Sequence, residues 1–285
     1  MYQVGGRLLF RGTEQQGGNT VSLIGNTKSL VRDVIDHSAA RIGFGHSEGR
    51  LARDAQAYWQ GEAGGAGWRS YSHFRDAEVF GADVGWESVG QDHRALFERL
   101  ARVVEFDGQL NRVVEWGCGG GANAVAFAPD CAQEFVGVDV TEESLRECGR
   151  QVARVSDTPY LPVLVDVAKP ENVLGQIAPC DLFLCLYVLE LVPSPAYGKR
   201  ILQIAHDLLV EGGLAFVQIK YDTGHWRTGS RRRGYRGSVA ASMTSYPISE
   251  FWTLAEGMGL RPEACYLVPE NVLDSRYAYF LLSKV

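Results

Sequence analysis

From Gln109 onward, short apolar runs alternate with segments whose apolar residues recur at helical intervals. The apolar runs lie near residues 112–116, 135–139, 161–165, 181–187 and 213–220. Strands that alternate with helices along a chain are typical of a parallel sheet with helices on both faces. The pattern therefore predicts an α/β fold with a doubly wound sheet over this part of the chain.

Residues at the ends of the helical segments predict where the helices lie. Apolar residues over 89–104 are spaced as on one face of a helix, so an amphipathic helix is expected before the first strand. Thr141 is the expected N-cap of the helix after the second strand, because acidic residues follow it. Helical spacing over 196–209 should stop at the glycine pair 212–213, and Pro247 should open a further helix.

The last predicted strands, near 263–268 and 276–283, follow each other without a helix between them. Such a connection favours an antiparallel hairpin. The complete sheet is therefore expected to be seven-stranded and mostly parallel, with an antiparallel last strand.

Residues 1–85 lack a regular period. Their pattern supports a hairpin from residues 4–10 and 20–24 and a short helix over 29–35. We therefore expect two regions, an N-terminal accessory segment over 1–85 and a main domain over 86–285.

Composition places the chain among ordinary globular proteins. Of its 285 residues, 46% are hydrophobic and 22% are charged, and no apolar run reaches the ~18 residues that a membrane span needs. A membrane protein is therefore disfavoured. The N-terminus has no basic region followed by an apolar run, so it does not resemble a secretory signal, and a cytoplasmic location is predicted.

Charge and cysteine usage disfavour further classes. The net charge of −6 gives no overall basic surface for nucleic acid. Six cysteines are spread along the chain without a C-x-x-C pair, which argues against a zinc site or a disulfide framework. We expect reduced thiols and no nucleic acid partner, and the sequence leaves homo-oligomerisation open.

A strand, a glycine-rich turn and a helix start follow one another over residues 113–122, which read VVEWGCGGGA. Glycine lets the backbone turn tightly and lets a ligand approach without a Cβ in the way. The motif alone is ambiguous. Gly117, Gly119 and Ala122 also satisfy the dinucleotide fingerprint G-x-G-x-x-A. Asp139, at the end of the next strand, could hold a ribose in either case.

The carboxylate of Glu115 separates the two alternatives. A nicotinamide dinucleotide places an anionic pyrophosphate against the turn, where Glu115 would be a poor neighbour. S-adenosylmethionine brings an ammonium and a sulfonium instead, and opposite charges attract strongly in a partly dry pocket. Glu115 therefore favours the methyl donor.

Over roughly its last 175 residues the chain resembles the class I S-adenosylmethionine-dependent methyltransferases, whose fold is Rossmann-like. The segments that carry the resemblance are 115–121, 137–140, 165–167, 181–187, the leucine-rich turn with paired glycines at 208–213, and the predicted terminal hairpin. They occur in the family's order. The resemblance implies S-adenosyl-L-methionine as cofactor, S-adenosyl-L-homocysteine as product, and methyl transfer as the activity.

The resemblance also implies roles for individual residues. The acidic residue at Asp139 would hold the ribose hydroxyls, and the one at Asp166 would meet the adenine amino group. The cofactor-binding residues implied in this way are Glu115, Gly117, Cys118, Gly119, Asp139, Val140, Asp166, Val167 and Cys185. Some family members hold magnesium with paired carboxylates, but the fourth strand here ends in Cys185, Leu186 and Tyr187. No metal is expected.

Candidate catalytic residues follow the fourth and fifth strands, because ligands of open α/β sheets bind beyond the carboxyl ends of the strands. Transfer to a hydroxyl needs a base near the transition state, whereas a neutral amine can attack first. The catalytic candidates are Glu190, His225 and Tyr187, from a pool that also holds Tyr221, Asp222 and His73.

A long loop after the fifth strand carries Trp226, Arg227 and Arg231 among other arginines. Loops of this length are often lids, and guanidinium groups would grip a carboxylate or phosphate on the acceptor. A solvated charged surface is the alternative. Aromatic residues around 58–86 either close over the same opening or form a small core of the accessory segment.

Three functions remain open. The leading interpretation is methyl transfer to oxygen or nitrogen of a small molecule, such as a sugar or a secondary metabolite, which the accessory segment would face. The alternative is an RNA or protein methyltransferase that docks its substrate on the arginine-rich loop. The family's usual amino-methylating motif, Asn or Asp before Pro-Pro, is absent after the fourth strand. A nicotinamide-dependent oxidoreductase or a non-catalytic nucleotide-binding module is the third interpretation.

Overall fold

A mixed β-sheet lies at the centre of the structure, a computed structural model that describes residues 47–61, 67–77, 80, 83–106, 109–225, 228–230, 235, 243–269 and 276–285. The strands are β1 (Arg112–Trp116), β2 (Glu134–Asp139), β3 (Tyr160–Leu164), β4 (Cys180–Cys185), β5 (Leu209–Asp222), β6 (Tyr246–Pro247), β7 (Leu260–Leu267) and β8 (Tyr277–Lys284). The helices are α1 (Glu48–Trp59), α2 (Gly67–Tyr71), α3 (Asp83–Val103), α4 (Ala124–Phe127), α5 (Glu142–Val155), α6 (Pro195–Leu208) and α7 (Ile248–Glu256). None of these described helices is long and apolar enough to cross a membrane. The hairpin predicted from residues 4–10 and 20–24 and the helix predicted over 29–35 lie outside the described residues.

The strands are ordered β3-β2-β1-β4-β5-β8-β7, and the two-residue β6 pairs with the end of β5. Strands β1 to β5 pair in parallel, and β8 is antiparallel to both of its neighbours, β5 and β7. The predicted mostly parallel sheet with an antiparallel last strand is therefore confirmed. Because the strand order reverses between β1 and β4, the crevice beyond their carboxyl ends is the expected ligand site.

Local sequence explains where two of the helices begin. Thr141 Oγ1 accepts a hydrogen bond from the backbone N–H of Ser144 at 3.1 Å, which confirms Thr141 as the N-cap of α5. Ser194 caps α6 in the same way, since its Oγ accepts from the N–H of Tyr197 at 3.0 Å. Both caps fix the point where the chain turns away from the carboxyl end of a strand.

The later elements follow the prediction with one difference. Pro247 directly precedes α7, as expected. The preceding helix, α6, ends at Leu208, before the glycine pair that was expected to stop it. The buried Leu209 already pairs with Cys180 of β4, so β5 starts there and contains the glycines. Strand pairing therefore ends this helix earlier than the glycines would.

Apolar side chains of the sheet enter two cores, one on each face. In β1, Val114 and Trp116 belong to the core that also contains residues of α1, α6 and α7, whereas Val113 belongs to the core with residues of α3, α4 and α5. Successive side chains of a strand point to opposite faces, so Glu115 lies on the same side as Val113. The carboxylate of Glu115 is thereby directed toward α3 and α4.

Helix α1 lies within the predicted accessory segment, and it packs on the main sheet. Ala55 is buried in the core that also contains α6. Gln56 Oε1 accepts a hydrogen bond from Val167 N at 3.1 Å, and Ser194 Oγ donates to Glu48 Oε2 at 2.8 Å. The described part of the accessory segment therefore belongs to one compact unit with the main domain.

Candidate active site

A cavity lies beyond the carboxyl ends of β1, β2 and β4, with about 870 Å³ of empty space including its open mouth. One part of its wall is polar and contains Glu115, Asp139 and the glycine turn after β1. Much of the remaining wall is aromatic, with Trp59, Tyr71, His73, Tyr187, Tyr197 and Tyr235.

The glycine turn is held from two sides. On one side, Gly117 N–H donates to Val138 O of β2 at 2.7 Å. On the other side, Gly120 N–H donates to Ser72 O at 2.7 Å. Gly119 has a φ of 49°, and a Cβ there would stand 2.1 Å from Ser72 O. The turn therefore requires glycine because the accessory segment lies directly against it.

Asp139 ends β2 at the cavity wall, and its carboxylate is held by backbone donors. Oδ2 accepts from Gly119 N at 3.0 Å and Oδ1 from Thr141 N at 3.1 Å. Burial raises the pKa of Asp139, although these N–H donors lower it in part. A carboxylate fixed in this way can accept further hydrogen bonds from hydroxyl groups of a ligand in the cavity.

Glu115 is only 2% exposed, and its two oxygens have different surroundings. Oε1 accepts a hydrogen bond from Asn123 Nδ2 at 2.8 Å, whereas Oε2 is buried without a hydrogen-bond partner. Burial raises the pKa of Glu115 to about 8; the Asn123 hydrogen bond opposes this and the nearby Asp139 adds to it. A buried carboxylate with one oxygen unmatched fits a ligand that carries a positive charge.

A family model for the methyltransferase domain matches residues 89–263, which is well over half of the chain. The chain belongs to this methyltransferase family. It is an S-adenosylmethionine-dependent methyltransferase, and the orphaned oxygen of Glu115 fits the ammonium of that cofactor. No curated protein matches its sequence.

Two solved structures share the fold of this methyltransferase. The magnesium protoporphyrin IX methyltransferase of Synechocystis PCC 6803, with bound S-adenosylmethionine, is 14% identical with a TM-score of 0.54, covering 81% of this chain and 97% of that one. The 1,6-didemethyltoxoflavin-N1-methyltransferase of Burkholderia thailandensis, with bound 1,6-didemethyltoxoflavin and S-adenosylhomocysteine, is 18% identical with a TM-score of 0.52, covering 70% and 79%. Both proteins hold the methyl donor or its product.

The other predicted cofactor residues of the methyltransferase divide into two groups. Gly117, Cys118, Gly119, Val140 and Val167 line the cavity. Cys185 is buried in the core beneath it and is not part of the described lining. Asp166 is exposed, and its Oδ1 accepts from Ala168 N at 2.8 Å in a turn. The contact of Asp166 with adenine stays a prediction.

Of the three catalytic candidates, Tyr187 is among the described residues that line the cavity. Glu190 and His225 are not among them. Glu190 is buried and accepts a hydrogen bond from Tyr277 Oη at 3.1 Å. His225 is exposed after the end of β5. Trp226, Arg227 and Arg231, predicted to bind the acceptor, lie outside the described residues.

Tyr187 is held in an uncommon backbone conformation, with a φ of 56°. Its N–H donates to Gln218 Oε1 at 2.6 Å, which fixes the turn after β4. Its ring meets the ring of His73 edge to face, with centroids 4.8 Å apart. Burial and, to a smaller extent, the neighbouring His93 lower the pKa of His73 to about 4. The imidazole of His73 is therefore neutral at pH 7, beside the phenol of Tyr187.

Sequence reasoning missed three residues behind the polar wall, His93, Asn123 and Tyr279, all of which are buried. His93 lies in the predicted helix over 89–104, at a position where the helical period places an apolar side chain. A polar residue at an apolar position of the helix was the signal that could have pointed to His93. Ser72 gave none, because it acts through its backbone carbonyl. Among the described residues, no group of three His, Cys, Asp or Glu side chains could hold a metal ion.

Proposed function

We propose that this methyltransferase transfers a methyl group from S-adenosylmethionine to an oxygen or nitrogen of a small molecule. The observation that carries the proposal is the wall of the cavity. Its described lining combines Trp59, Tyr71 and His73 of the accessory segment with Tyr187 and Tyr235 of the main domain. An aromatic wall of this kind suits a compact acceptor, which it can bury on several sides.

The donor end of the cavity is assigned to the polar wall. Glu115 binds the ammonium of the cofactor, and Asp139 accepts hydrogen bonds from its ribose hydroxyls. The cofactor, when bound, supplies an electrophilic methyl group on a sulfonium. The residues of the chain hold this group and exclude water, since in-line displacement depends on the alignment of donor and acceptor.

The acceptor end is assigned to Tyr187 and His73. The neutral imidazole of His73 accepts a hydrogen bond from a hydroxyl or N–H of the acceptor, and Tyr187 orients the same group. Glu190 and His225 stay candidates for the base only if the acceptor site extends beyond the described lining. Two relatives with this fold, named above, act by name on small molecules, magnesium protoporphyrin IX and 1,6-didemethyltoxoflavin.

The arginine residues of the loop after β5 favour an acceptor that carries a negative charge. In the sequence, Arg227 and Arg231 flank residues 228–230, and the chain then continues to Tyr235, which lines the cavity. The alternative is an RNA or protein acceptor, which would dock on the same loop. The cytoplasmic location, the absence of a nucleic acid partner and the oligomeric state also stay predictions.

The class of acceptor can be tested with a labelled methyl group. Purified protein and methyl-labelled S-adenosylmethionine are incubated separately with the small-molecule, RNA and protein fractions of a host extract. We expect label in the small-molecule fraction, and its loss in the Asp139→Ala variant, which removes the proposed ribose contact. Label confined to the RNA or the protein fraction would overturn the proposal.

A further inference from the structure

A chain of polar groups, of which all but the last are buried, connects the donor end of the cavity to the acceptor end. It begins at Glu115, whose Oε1 lies 2.8 Å from Asn123 Nδ2. Asn123 Oδ1 lies 2.7 Å from His93 Nδ1, and His93 Nε2 lies 3.0 Å from Tyr279 Oη. Tyr279 Oη lies 3.5 Å from Tyr187 Oη, at the cavity wall. We call these five residues the polar relay.

The direction of the hydrogen bonds in the polar relay depends on the charge of Glu115. When Glu115 is a carboxylate, the amide of Asn123 must donate to it, so Asn123 Oδ1 accepts from His93 and the ring carries its proton on Nδ1. His93 Nε2 is then an acceptor, and the hydroxyl of Tyr279 donates to it. Tyr279 still accepts from Gln218 Nε2 at 2.8 Å, so no member lacks a partner.

When Glu115 is protonated, every hydrogen bond of the polar relay can reverse its direction, and each member then still has a hydrogen-bond partner. A proton on Oε2 would be a buried donor without an acceptor, because that oxygen has no partner. A proton on Oε1 instead donates to Asn123 Oδ1, and the amide N–H donates to His93 Nδ1. His93 then donates from Nε2 to Tyr279, which turns its hydroxyl toward Tyr187. The 3.5 Å contact between the two hydroxyls is long for an O–H···O bond and must shorten in this state.

Titratable groups of several elements face the polar relay. Asp139 of β2, Cys118 of the glycine turn and Cys185 of β4 interact with Glu115. His73 of the accessory segment interacts with His93, and its own pKa is lowered to about 4, so it adds no charge at neutral pH. Burial raises the pKa of Glu115 to about 8, so Glu115 can change its charge near neutral pH.

We propose that His93 is a positioning residue whose ring changes tautomer with the charge of Glu115, so that filling the donor site changes the hydrogen bonding of Tyr187 at the acceptor end. One proton leaves Glu115 for solvent when a cofactor ammonium binds beside it. The ring of His93 keeps one proton but carries it on Nδ1 instead of Nε2. The link to the cofactor rests on the proposed function, because it needs the ammonium at Glu115, whereas the response to pH does not.

The test is ring-nitrogen NMR of the full chain labelled with ¹⁵N-histidine, which has six histidines. The signals of His93 are assigned by their loss in His93→Gln, or in His93→Asn if the first variant does not fold. We expect the proton on Nε2 at about one pH unit below the Glu115 pKa of about 8 and on Nδ1 at about one unit above it. Adding S-adenosylhomocysteine at the lower pH should move the proton to Nδ1.

The matched variant is Glu115→Gln, which keeps the shape of the side chain and cannot ionise. In this variant the tautomer of His93 should respond neither to pH nor to S-adenosylhomocysteine. A tautomer in the parent protein that is the same at both pH values would overturn the proposal. A tautomer that responds to pH but not to bound S-adenosylhomocysteine would uphold the relay and contradict the placement of the ammonium at Glu115.

Discussion

The two carboxylates of the cavity differ in how their charge is balanced. Both oxygens of Asp139 accept from backbone N–H groups, whereas Glu115 has a single side-chain donor on one oxygen. Burial raises the pKa of both residues, and that of Glu115 reaches about 8. Glu115 is therefore mainly protonated at pH 7 until a positive charge binds beside it.

Binding of S-adenosylhomocysteine should consequently release a proton. Below the Glu115 pKa of about 8, affinity should rise with pH by up to about tenfold per unit, and it should level off above that pKa. Titration calorimetry in buffers of different ionisation enthalpy measures the release. Glu115→Gln should release no proton and bind about 10- to 100-fold more weakly, since a charge-assisted hydrogen bond contributes roughly 1.5–3 kcal/mol. Equal proton release by the variant and the parent would contradict this assignment.

Single residues of the site could be predicted when they end a buried strand. Asp139 ends β2 and Glu115 lies one residue before the end of β1, so the apolar runs before them fix their positions and the sheet brings the strand ends together. The partners of His93 could not be predicted in the same way. His93 and Tyr279 are 186 residues apart, and only tertiary packing brings them to 3.0 Å.

At the scale of elements, the segment after α2 contacts the glycine turn and so connects the accessory segment to the donor site. Ser72 O accepts a hydrogen bond from Gly120 N, and a Cβ on Gly119 would lie only 2.1 Å from the same oxygen. The donor turn and the aromatic wall are thus parts of one packed unit. A change in the turn should therefore affect both.

Gly119→Ala should disrupt this unit. Its φ of 49° disfavours a side chain, and the Cβ would meet backbone at 2.1 Å, so we expect a loss of about 1–3 kcal/mol of stability and of S-adenosylhomocysteine binding. Gly175→Ala is the matched control, because a Cβ there meets nothing within 4 Å. Thermal unfolding with and without S-adenosylhomocysteine checks both variants. Similar behaviour of the two variants would show that the segment does not press on the turn.

Among the elements, strands were more predictable than the helices of the accessory segment. Strands β1, β2 and β4 are short apolar runs, since both of their faces are covered. Helix α1 lacks so clear a pattern, because its buried face consists of Leu51, Ala52 and Ala55 among polar residues. The two alanines are buried in the core that also contains residues of α6, but alanine contributes little hydrophobic signal to the sequence.

At the scale of the whole molecule, the buried titratable groups make stability depend on pH in two opposite directions. The pKa of His73 falls from 6.5 to about 4 on burial, so the unfolded chain binds the extra proton and stability is lost as pH falls from 6.5 toward 4. The pKa of Glu115 rises from 4.5 to about 8, so stability is lost as pH rises from 4.5 to 8. The two contributions oppose each other between pH 4.5 and 6.5.

Replacing His73 should therefore make the protein more resistant to acid. His73→Asn keeps a residue type that tolerates the φ of 52° at this position. Compared with the parent, it should lose less of its free energy of unfolding as pH falls from 6.5 toward 4. Urea unfolding at several pH values measures this difference, and His225→Asn, at an exposed site, is the control. Equal acid sensitivity of His73→Asn and the parent would contradict the burial effect.

The hydrogen bond between Gly120 and Ser72 has a consequence for the order of events in turnover. The wall that would enclose the acceptor is tied to the turn that would hold the methyl donor. The donor should therefore enter first and complete the wall, and the acceptor should enter second. After transfer, the methylated product should leave while the turn is still occupied, and S-adenosylhomocysteine should leave last.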